Sequence, residues 1–463
     1  MPLSVKRLAV KHPMSVIDDP DCTFDLTVPV VVIGGGACGL VAALSAHTMG
    51  AEVIVLERDP VPRGSTALSS GMITACGSSP QKAADIHDDT PELFARDIQA
   101  KAGGRVDPDL LAAICTESGP TIDWLIKHHN MDLVLVDGPP YPGHSRQRTH
   151  APPTNSGADL MADLLRAVDA AHIDVICNAT VRELVVDGDR VRGVQITRPD
   201  GSIERLGCET LVLASSGFGG NADMVESWLP DMAGSIYFGH EGNQGEAILW
   251  GQALGAACED MGAFQGHGSV ATPHSITVSW ALLNNGGILV NQTGIRFCDE
   301  SLGASELAAT VCQQDGSVWS VIDQGLYDGA MRFPDFKNLQ TLRAIKSGAT
   351  AAALAQACKL PVPALEETLA KLEKSPALTA PYHAIKVTGA LLQTQGGLAV
   401  DTNARVQRPD GSTLPNLFAG GGAARGISGT DGSGYLSCNG LLSAVTLGRI
   451  AGREAGIQIN ALP

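Results

Sequence analysis

The sequence has no run of 18 consecutive apolar residues, no CxxC cysteine pair and no cluster of lysines and arginines. The first absence argues against a membrane span, and the second against a cysteine zinc site or a disulfide framework. Its 32 basic residues stand against 49 acidic ones, and a net charge of −17 would repel phosphate backbones and anionic lipids. These absences predict no membrane span, no metal site and no nucleic-acid partner.

The length and the cysteine usage point to a two-domain protein of a reducing compartment. A single core stops growing at about 250 to 300 residues, so 463 residues predict two domains. Eleven scattered cysteines, an odd number, are typical of reducing surroundings. The basic N-terminal stretch has no long apolar segment behind it and is unlike a secretory signal. We therefore expect a cytoplasmic protein.

The most informative stretch is PVVVIGGGACGLVAALSAHTMGAEVIVLERD, which begins at residue 29. An apolar strand, a glycine turn, a small-residue helix and a second strand follow in the order of a βαβ unit. Gly34, Gly36 and Gly39 form GxGxxG, in which the glycines permit the turn, the approach of a pyrophosphate and helix–strand packing. Glu57 ends the second strand, where a carboxylate accepts from a ribose hydroxyl. This context predicts a dinucleotide site; the alternative is a glycine turn without a ligand.

The pattern along the chain predicts a first domain that is interrupted by a second. Residues 1–27 mix charge and proline and are expected to be a lead-in. Residues 28–262 carry the βαβ unit and further short strands. In residues 263–385 a predicted hairpin, GGILVNQTGIRFCDE, is followed by polar helices, and residues 386–463 return to strand, glycine turn and small-residue helix. The expected fold class is α/β, a Rossmann-like domain with a smaller α+β domain inserted.

Six segments favour FAD over NAD as the expected cofactor. They are RGSTALSSGMITACG (63–77), LVLASSGFGGN (211–221), GGILVNQTGIRFCDE (286–300), TQGGLAVD (394–401), LPNLFAGGG (414–422) and LGRIAG (447–452). With them, residues 28–456 resemble the fumarate reductase and succinate dehydrogenase flavoprotein superfamily, which includes the 3-ketosteroid Δ1-dehydrogenases. The resemblance implies an FAD-binding domain interrupted by a capping domain, with the substrate held between flavin and cap.

The resemblance also implies individual FAD contacts. Besides the three glycines and Glu57, the implied positions are Ala37, Cys38, Arg58, Ser65, Thr66, Ser70, Gly71, Val181, Ser216, Gly217, Gly421, Asn439 and Leu441. The serine and threonine positions of residues 65–71 would follow the pyrophosphate and ribityl chain, and the Val181 backbone would meet adenine. Membrane-bound relatives attach FAD to a histidine in the segment that corresponds to residues 64–77. This sequence has no histidine there, so noncovalent FAD is expected.

The implied substrate position lacks the charges that a dicarboxylate requires. Fumarate reduction needs cations that clamp two carboxylates and a group that donates a proton. By alignment with the family motifs, Leu283 stands at the proton-donating arginine and Tyr435 at a carboxylate-binding arginine, whereas His267 matches a family histidine. An uncompensated dicarboxylate in a dry pocket would cost on the order of several kcal/mol. Fumarate is therefore not the expected substrate.

Tyr435 followed by Gly440 resembles the ketosteroid dehydrogenase arrangement, in which a tyrosine hydroxyl and a glycine N–H hold a ketone oxygen. Such hydrogen bonds acidify the adjacent C–H. A base would remove the α proton while the β hydride passes to flavin N5. Tyr141, in GPPYPGHS, is the first choice of base, and an anchored loop residue is its alternative reading. His144 and His267 are the reserves, because histidine titrates near neutrality.

The expected function is therefore FAD-dependent desaturation of the Cα–Cβ bond next to a ketone, in a cyclic ketone or 3-ketosteroid. The electron acceptor and the oligomeric state have no signal in the sequence. Two alternatives stay open. One is the reverse reaction, an enone or fumarate-type enoate reductase that uses reduced FAD, because flavin chemistry runs in both directions. The other is a flavin-binding subunit without turnover.

Overall fold

The computed structural model describes residues 15–372 and 377–462. The strands are β1 (Ser15–Asp18), β2 (Leu26–Ile33), β3 (Val53–Leu56), β4 (Ile73–Thr74), β5 (Val134–Leu135), β6 (Thr149–Ala151), β7 (Asp174–Ile176), β8 (Thr180–Asp187), β9 (Arg190–Thr197), β10 (Ile203–Leu213), β11 (Ile236–Tyr237), β12 (Cys258–Glu259), β13 (Phe264–Ala271), β14 (Ile276–Thr277), β15 (Ile288–Val290), β16 (Val318–Asp323), β17 (Ile345–Gly348), β18 (Tyr382–Thr394), β19 (Gly397–Leu398), β20 (Arg405–Gln407) and β21 (Thr413–Ala419). The helices are α1 (Ala37–Thr48), α2 (Gly64–Ala67), α3 (Ser79–Ala83), α4 (Pro91–Lys101), α5 (Pro108–His129), α6 (Gly157–Ala170), α7 (Ala222–Trp228), α8 (Glu246–Ala253), α9 (Ala281–Asn284), α10 (Ala308–Cys312), α11 (Gln324–Ala330), α12 (Pro334–Thr341), α13 (Ala351–Cys358), α14 (Val362–Ala370) and α15 (Asn439–Asn460).

The larger sheet has a parallel centre. Its order is β1-β8-β9-β10-β2-β3-β7, with β21 beside β10 and β20 beside β21. Strand β2 pairs in parallel with β10 and β3, and β10 pairs in parallel with β21. The end of β2, residues 30–33, is buried, as the sequence VVVI requires of a strand covered on both faces. The predicted α/β, Rossmann-like fold class is confirmed.

Helices α1 and α15 pack together through glycines. A Cβ on Gly448 would lie 2.4 Å from the Cys38 carbonyl oxygen, and one on Gly452 would lie 2.0 Å from that of Ala42. From the first contact to the second, the position moves forward by four residues in each helix, from Gly448 to Gly452 and from Cys38 to Ala42. The two helices therefore run parallel. Helix α15 begins nine residues before Gly448, and its first turns therefore extend roughly 14 Å beyond the start of α1 at a rise of about 1.5 Å per residue.

The second sheet has seven strands in the order β14-β13-β18-β16-β15, with β11 and β17 also paired to β18. Helices α11 to α14 and their apolar residues pack around it in two clusters. Strand β18 continues to Thr394, beyond the expected limit of the capping domain at residue 385, and β11 comes from before residue 263. The domain ranges therefore remain a prediction.

The structure differs from two local predictions, the lead-in and the hairpin. Within the expected lead-in, β1 pairs in parallel with β8 at the edge of the larger sheet, whereas residues 1–14 lie outside the described residues. In the expected hairpin, Ile288–Val290 form β15, and Arg296 returns to Val290 by a single bridge. In the described parts of the chain, no helix is both long and apolar enough to cross a membrane.

Candidate active site

The glycine turn after β2 has the geometry that a bound pyrophosphate needs. Gly34 has φ of +109°, and a Cβ there would lie 2.4 Å from the Ala214 carbonyl oxygen. A Cβ on Gly39 would lie 1.8 Å from the Gly34 carbonyl oxygen, so this glycine allows helix and strand to pack. At Gly36 the nearest atom to a Cβ would be Thr66 Oγ1 at 3.7 Å, which leaves the backbone open to a ligand. The N-terminus of α1 also favours negative charge.

A cleft of about 1000 Å³ begins at this turn. It continues past the ends of β2 and β3 to the start of α15. The residues that were predicted to bind FAD and line the cleft are Gly34, Gly36, Ala37, Cys38, Glu57, Arg58, Ser65, Thr66, Val181, Ser216, Gly421 and Leu441. The cleft therefore gathers most of the implied FAD positions from seven separate parts of the chain.

Five predicted FAD residues do not line the cleft. Gly39, Gly71 and Gly217 serve packing, since a Cβ on Gly71 would meet the Ser156 carbonyl oxygen at 2.8 Å and one on Gly217 would meet Thr394 Oγ1 at 2.0 Å. Ser70 is exposed, and Asn439 is fully buried at the first position of α15. Their FAD contacts remain predictions.

Several residues that line the cleft were not predicted from the sequence. Among them are Ser69, Ala179, Ser215, His240, Asn243, Glu246, Trp250 and Gln393. Asn243 Nδ2 donates to Ser65 Oγ at 2.9 Å, which links a missed residue to a predicted one. Glu246 and Trp250 stand four residues apart, the spacing that places side chains on one helix face, and this was their one signal in the sequence.

Several buried polar atoms of the cleft fit a polar ligand. Ser215 Oγ, Glu246 Oε2 and Trp250 Nε1 line the cleft and have no hydrogen-bond partner among the described residues. Buried polar atoms are normally paired, so this set suits a ligand with several donors and acceptors. Glu57 is held in place because Oε2 accepts from the Gly35 N–H at 2.8 Å and Oε1 accepts from that of Asp59 at 2.9 Å. A carboxylate there favours a ribose hydroxyl over a 2′-phosphate.

Tyr435 and Gly440 meet at the start of α15. Burial raises the pKa of Tyr435 above its usual range, and the backbone N–H groups of Gly440 and Cys438, which face the phenol oxygen, oppose that rise. Gly440 lines the cleft, and a Cβ on it would lie 2.6 Å from Gln393 Oε1. Tyr435 is absent from the described lining of the cleft, so the pairing of Tyr435 and Gly440 at a ketone oxygen stays a prediction.

Tyr141 and His144 belong to a loop that packs against the same segment. The Tyr141 hydroxyl lies 3.4 Å from Met72 Sδ, and burial and the neighbouring Cys438 raise its pKa. His144 Nε2 donates to the Ser437 carbonyl oxygen at 3.1 Å. Its Nδ1 then carries a lone pair, and this atom is buried without a partner among the described residues. Burial lowers the pKa of His144, so the ring is neutral at pH 7.

His267 lies on β13 and has a different hydrogen-bond state. The Ser269 N–H donates to its Nδ1 at 3.1 Å, so the neutral ring carries its proton on Nε2. Burial lowers its pKa to about 4. The ring also makes an edge contact with Trp280, with the centroids 5.9 Å apart. His267 therefore presents a hydrogen-bond donor at Nε2, and its role as a reserve base stays a prediction.

The family model described as FAD binding domain matches residues 29–441. The chain belongs to this FAD binding domain family. Among its relatives, the NADH:fumarate oxidoreductase of Klebsiella pneumoniae is 28% identical, with 92% of this chain and 47% of that protein covered, so the chain spans about half of its length. A fumarate reductase (cytochrome) of Shewanella frigidimarina is 28% identical, with 93% of this chain and 77% of that protein covered.

Solved structures of family members share the fold. The open conformation of a flavocytochrome c3 fumarate reductase matches with a TM-score of 0.82 and 26% identity, over 94% of this chain and 79% of that one. A 3-ketosteroid Δ1-dehydrogenase from Sterolibacterium denitrificans matches with a TM-score of 0.78 and 20% identity, over 93% of this chain and 100% of that one. The chain is accordingly an FAD-dependent oxidoreductase that acts on carbon–carbon bonds.

Three arginines that follow or precede the loops of the candidate site in sequence form ion pairs. Arg105 bonds Asp431 at 2.5 Å, and Arg425 bonds Asp260 at 2.9 Å. Arg148 is buried and bonds Asp89 at 2.7 Å, and it also bonds Asp97. The charge of each of these three arginines is therefore balanced by a carboxylate of the protein.

Leu283 gives no information on the flavin site. It is 1% exposed and belongs to the apolar cluster of the capping sheet, together with Val278 and Leu289. It is also absent from the described lining of the cleft. The expectation that Leu283 faces the substrate is therefore unsupported, because the short helix α9 directs this side chain into the apolar cluster.

Proposed function

We propose that the chain interconverts a neutral ketone and its α,β-unsaturated counterpart. The observation that carries this proposal is the group of neutral polar atoms at the start of α15, where the Tyr435 hydroxyl, the Gly440 N–H and the Tyr141 loop meet. FAD, when bound, supplies the acceptor or donor of the hydride. Arg105 and Arg425 are each paired with a carboxylate of the protein, which supports an uncharged carbonyl over a dicarboxylate.

The role of Tyr435 is to hold the carbonyl oxygen. Its phenol oxygen faces the N–H groups of Cys438 and Gly440, so the hydroxyl proton is free to point elsewhere. A hydroxyl that accepts hydrogen bonds donates a stronger one, and the positive end of α15 adds to the field. Both effects stabilise negative charge that develops on a ketone oxygen as the α carbon becomes an enolate.

The protonated phenol of Tyr141 is compatible with reduction, whereas the direction itself is set by the redox potentials of the substrate and the electron carrier. The raised pKa of Tyr141 keeps the phenol protonated at pH 7, the state of a proton donor to the α carbon. Desaturation would require the phenolate, or the Nδ1 lone pair of His144, to accept that proton. The relatives are also named as reductases. We therefore place reduction of an enone first and the desaturation predicted from the sequence second.

Anaerobic flavin spectra test this proposal. Prereduced enzyme should be reoxidised by cyclohex-2-enone faster than by fumarate, because the site binds a neutral oxygen. Bleaching of the oxidised enzyme by cyclohexanone would favour desaturation. Fumarate as the better oxidant would overturn the neutral-carbonyl proposal, and no spectral change with any carbonyl compound would favour the subunit without turnover.

Tyr435→Phe tests the residue that carries the proposal. We expect it to retain FAD and to lose about 100-fold or more of turnover, as oxyanion-hole variants do. The matched control is Tyr327→Phe, because Tyr327 lies on α11, stacks on His383 of β18 and is expected to leave turnover unchanged. Equal turnover of the wild type and Tyr435→Phe would remove Tyr435 from the mechanism.

We further propose a reducing, cytoplasmic location and an external electron carrier. No disulfide joins the cysteines of the described residues, which supports the location expected from the sequence. The carrier is needed because hydride exchange with one substrate leaves FAD in one redox state. Cell fractionation checks the location, and recovery of the native protein from the periplasm would contradict it.

A further inference from the structure

Helix α8 presents two unpartnered polar atoms to the FAD cleft. Glu246 and Trp250 are each 2% exposed, and both line the cleft. Glu246 Oε2 and Trp250 Nε1 have no hydrogen-bond partner within residues 15–372 and 377–462. The two residues are four apart and share one face of the helix. One atom is an acceptor and the other a donor, so the pair suits a ligand edge with the opposite pattern.

The location of α8 assigns this pair to the adenosine half of the cleft. Arg58 directly follows Glu57, the carboxylate placed for the ribose. The Arg58 guanidinium bonds Glu246 Oε1 and donates to the Gly242 carbonyl oxygen at 2.6 Å. It thereby fixes the Glu246 carboxylate and leaves Oε2 free. Helix α8 also contacts β1, the strand beside β8, and Val181 of β8 lines the same cleft.

We propose that Glu246 and Trp250 read the edge of the adenine ring. Glu246 Oε2 accepts from the 6-amino group, and Trp250 Nε1 donates to the adjacent ring nitrogen. Adenine presents an amino donor next to a ring acceptor, the complement of this pair. A base with a carbonyl oxygen at position 6 would place that oxygen against the carboxylate. The site should therefore select adenine over hypoxanthine, whatever the substrate of the enzyme is.

The test uses the full-length protein freed of FAD and titrated by calorimetry with ADP and with inosine diphosphate. We expect ADP to bind at least tenfold more tightly, because the two ligands differ only at the base. Trp250→Phe removes the N–H and should weaken ADP about tenfold, the weight of one hydrogen bond. ADP should also change the tryptophan emission of the wild type more than that of Trp250→Phe.

Glu246→Gln separates base recognition from simple loss of affinity. If Arg58 holds the amide oxygen, the amide N–H₂ faces the base, so the preference for ADP over inosine diphosphate should disappear or reverse. The matched control is Trp228→Phe, because Trp228 is 42% exposed on α7 and should leave both affinities unchanged. Each variant is first checked for the native circular dichroism spectrum.

Equal binding of ADP and inosine diphosphate to the wild type would overturn the proposal. Unchanged ADP affinity in both Trp250→Phe and Glu246→Gln would overturn it as well. If a variant fails to fold, the ratio of the wild-type affinities for ADP and for inosine diphosphate alone decides whether the proposal stands. None of these measurements involves a ketone, so their outcome is independent of the substrate proposed above.

Discussion

Two glycines of the same turn should respond to alanine in opposite ways. Gly39→Ala places a Cβ 1.8 Å from the Gly34 carbonyl oxygen, whereas carbon contacts ordinarily need about 3.5 Å. Helix α1 would have to shift by more than an ångström against the sheet and α15. Overpacking a core usually costs about 1 to 3 kcal/mol, and this rigid backbone contact belongs at or above the upper end.

Gly36→Ala should leave the fold intact and weaken FAD. Gly36 has φ of −79° and ψ of −175°, an extended conformation open to any residue, and the nearest atom to its Cβ is 3.7 Å away. We expect the free energy of unfolding to change by less than about 1 kcal/mol. The Cβ would, however, occupy the space that a pyrophosphate approaches. Loss of one charge-assisted hydrogen bond, about 1.5 to 3 kcal/mol, corresponds to roughly 10- to 100-fold weaker FAD.

Urea unfolding of the flavin-free protein and titration with FAD measure the two effects separately. Gly39→Ala should unfold at lower urea, and Gly36→Ala should unfold as the wild type does. FAD affinity equal to that of the wild type in Gly36→Ala would refute the assignment of the pyrophosphate to this turn. Equal stability of Gly39→Ala would refute the packing argument.

Three further predictions concern ion pairs, pH and cofactor attachment. Arg148→Met should lose about 3 to 5 kcal/mol of stability because it leaves Asp89 buried and unpaired, whereas Arg146→Met, at an exposed pair with Asp88, should lose less than about 1; similar losses in urea unfolding would contradict this. Burial lowers the pKa of His150 and of His267 to about 4, so as the pH falls from 6.5 to 5 the unfolded chain binds a proton at each ring that the folded chain does not. Each histidine should then remove about 1 kcal/mol of stability per pH unit, and a flat stability profile over this range would contradict the prediction. Acid precipitation should release yellow FAD into the supernatant, and a yellow pellet would mean covalent attachment.

The nucleotide-binding part of the site could be predicted from the sequence because it depends on a local sequence pattern. The GxGxxG turn, the strands around it and Glu57 lie within one stretch, and their spacing fixes their roles. Most of the implied FAD positions line one cleft for the same reason. Ser70 and Gly71 do not line it, because a short turn after α2 directs this part of the segment away from the cleft.

The remaining features depend on tertiary contacts that no local pattern encodes. Glu246 and Trp250 reach the cleft through the position of α8, which lies far along the chain from the glycine turn. The proton on His267 Nε2 follows from one backbone hydrogen bond that Ser269 donates to Nδ1, and a sequence does not reveal a tautomer. Arg148 and His150 stand among polar residues in the sequence, yet both are buried, with Asp89 and Ser78 as their partners.

The pairing of α1 with α15 sets the order of events during biosynthesis. Ser45 Oγ donates to the Arg449 carbonyl oxygen at 2.7 Å, although 404 residues separate them. At an elongation rate of about 5 to 20 residues per second, the ribosome needs roughly 20 to 80 s to travel from one to the other. During that interval the nascent chain holds half of a nucleotide site with an uncovered apolar helix. Capture of the flavin must therefore await the final helix, and chaperones have a defined window in which to protect the early one.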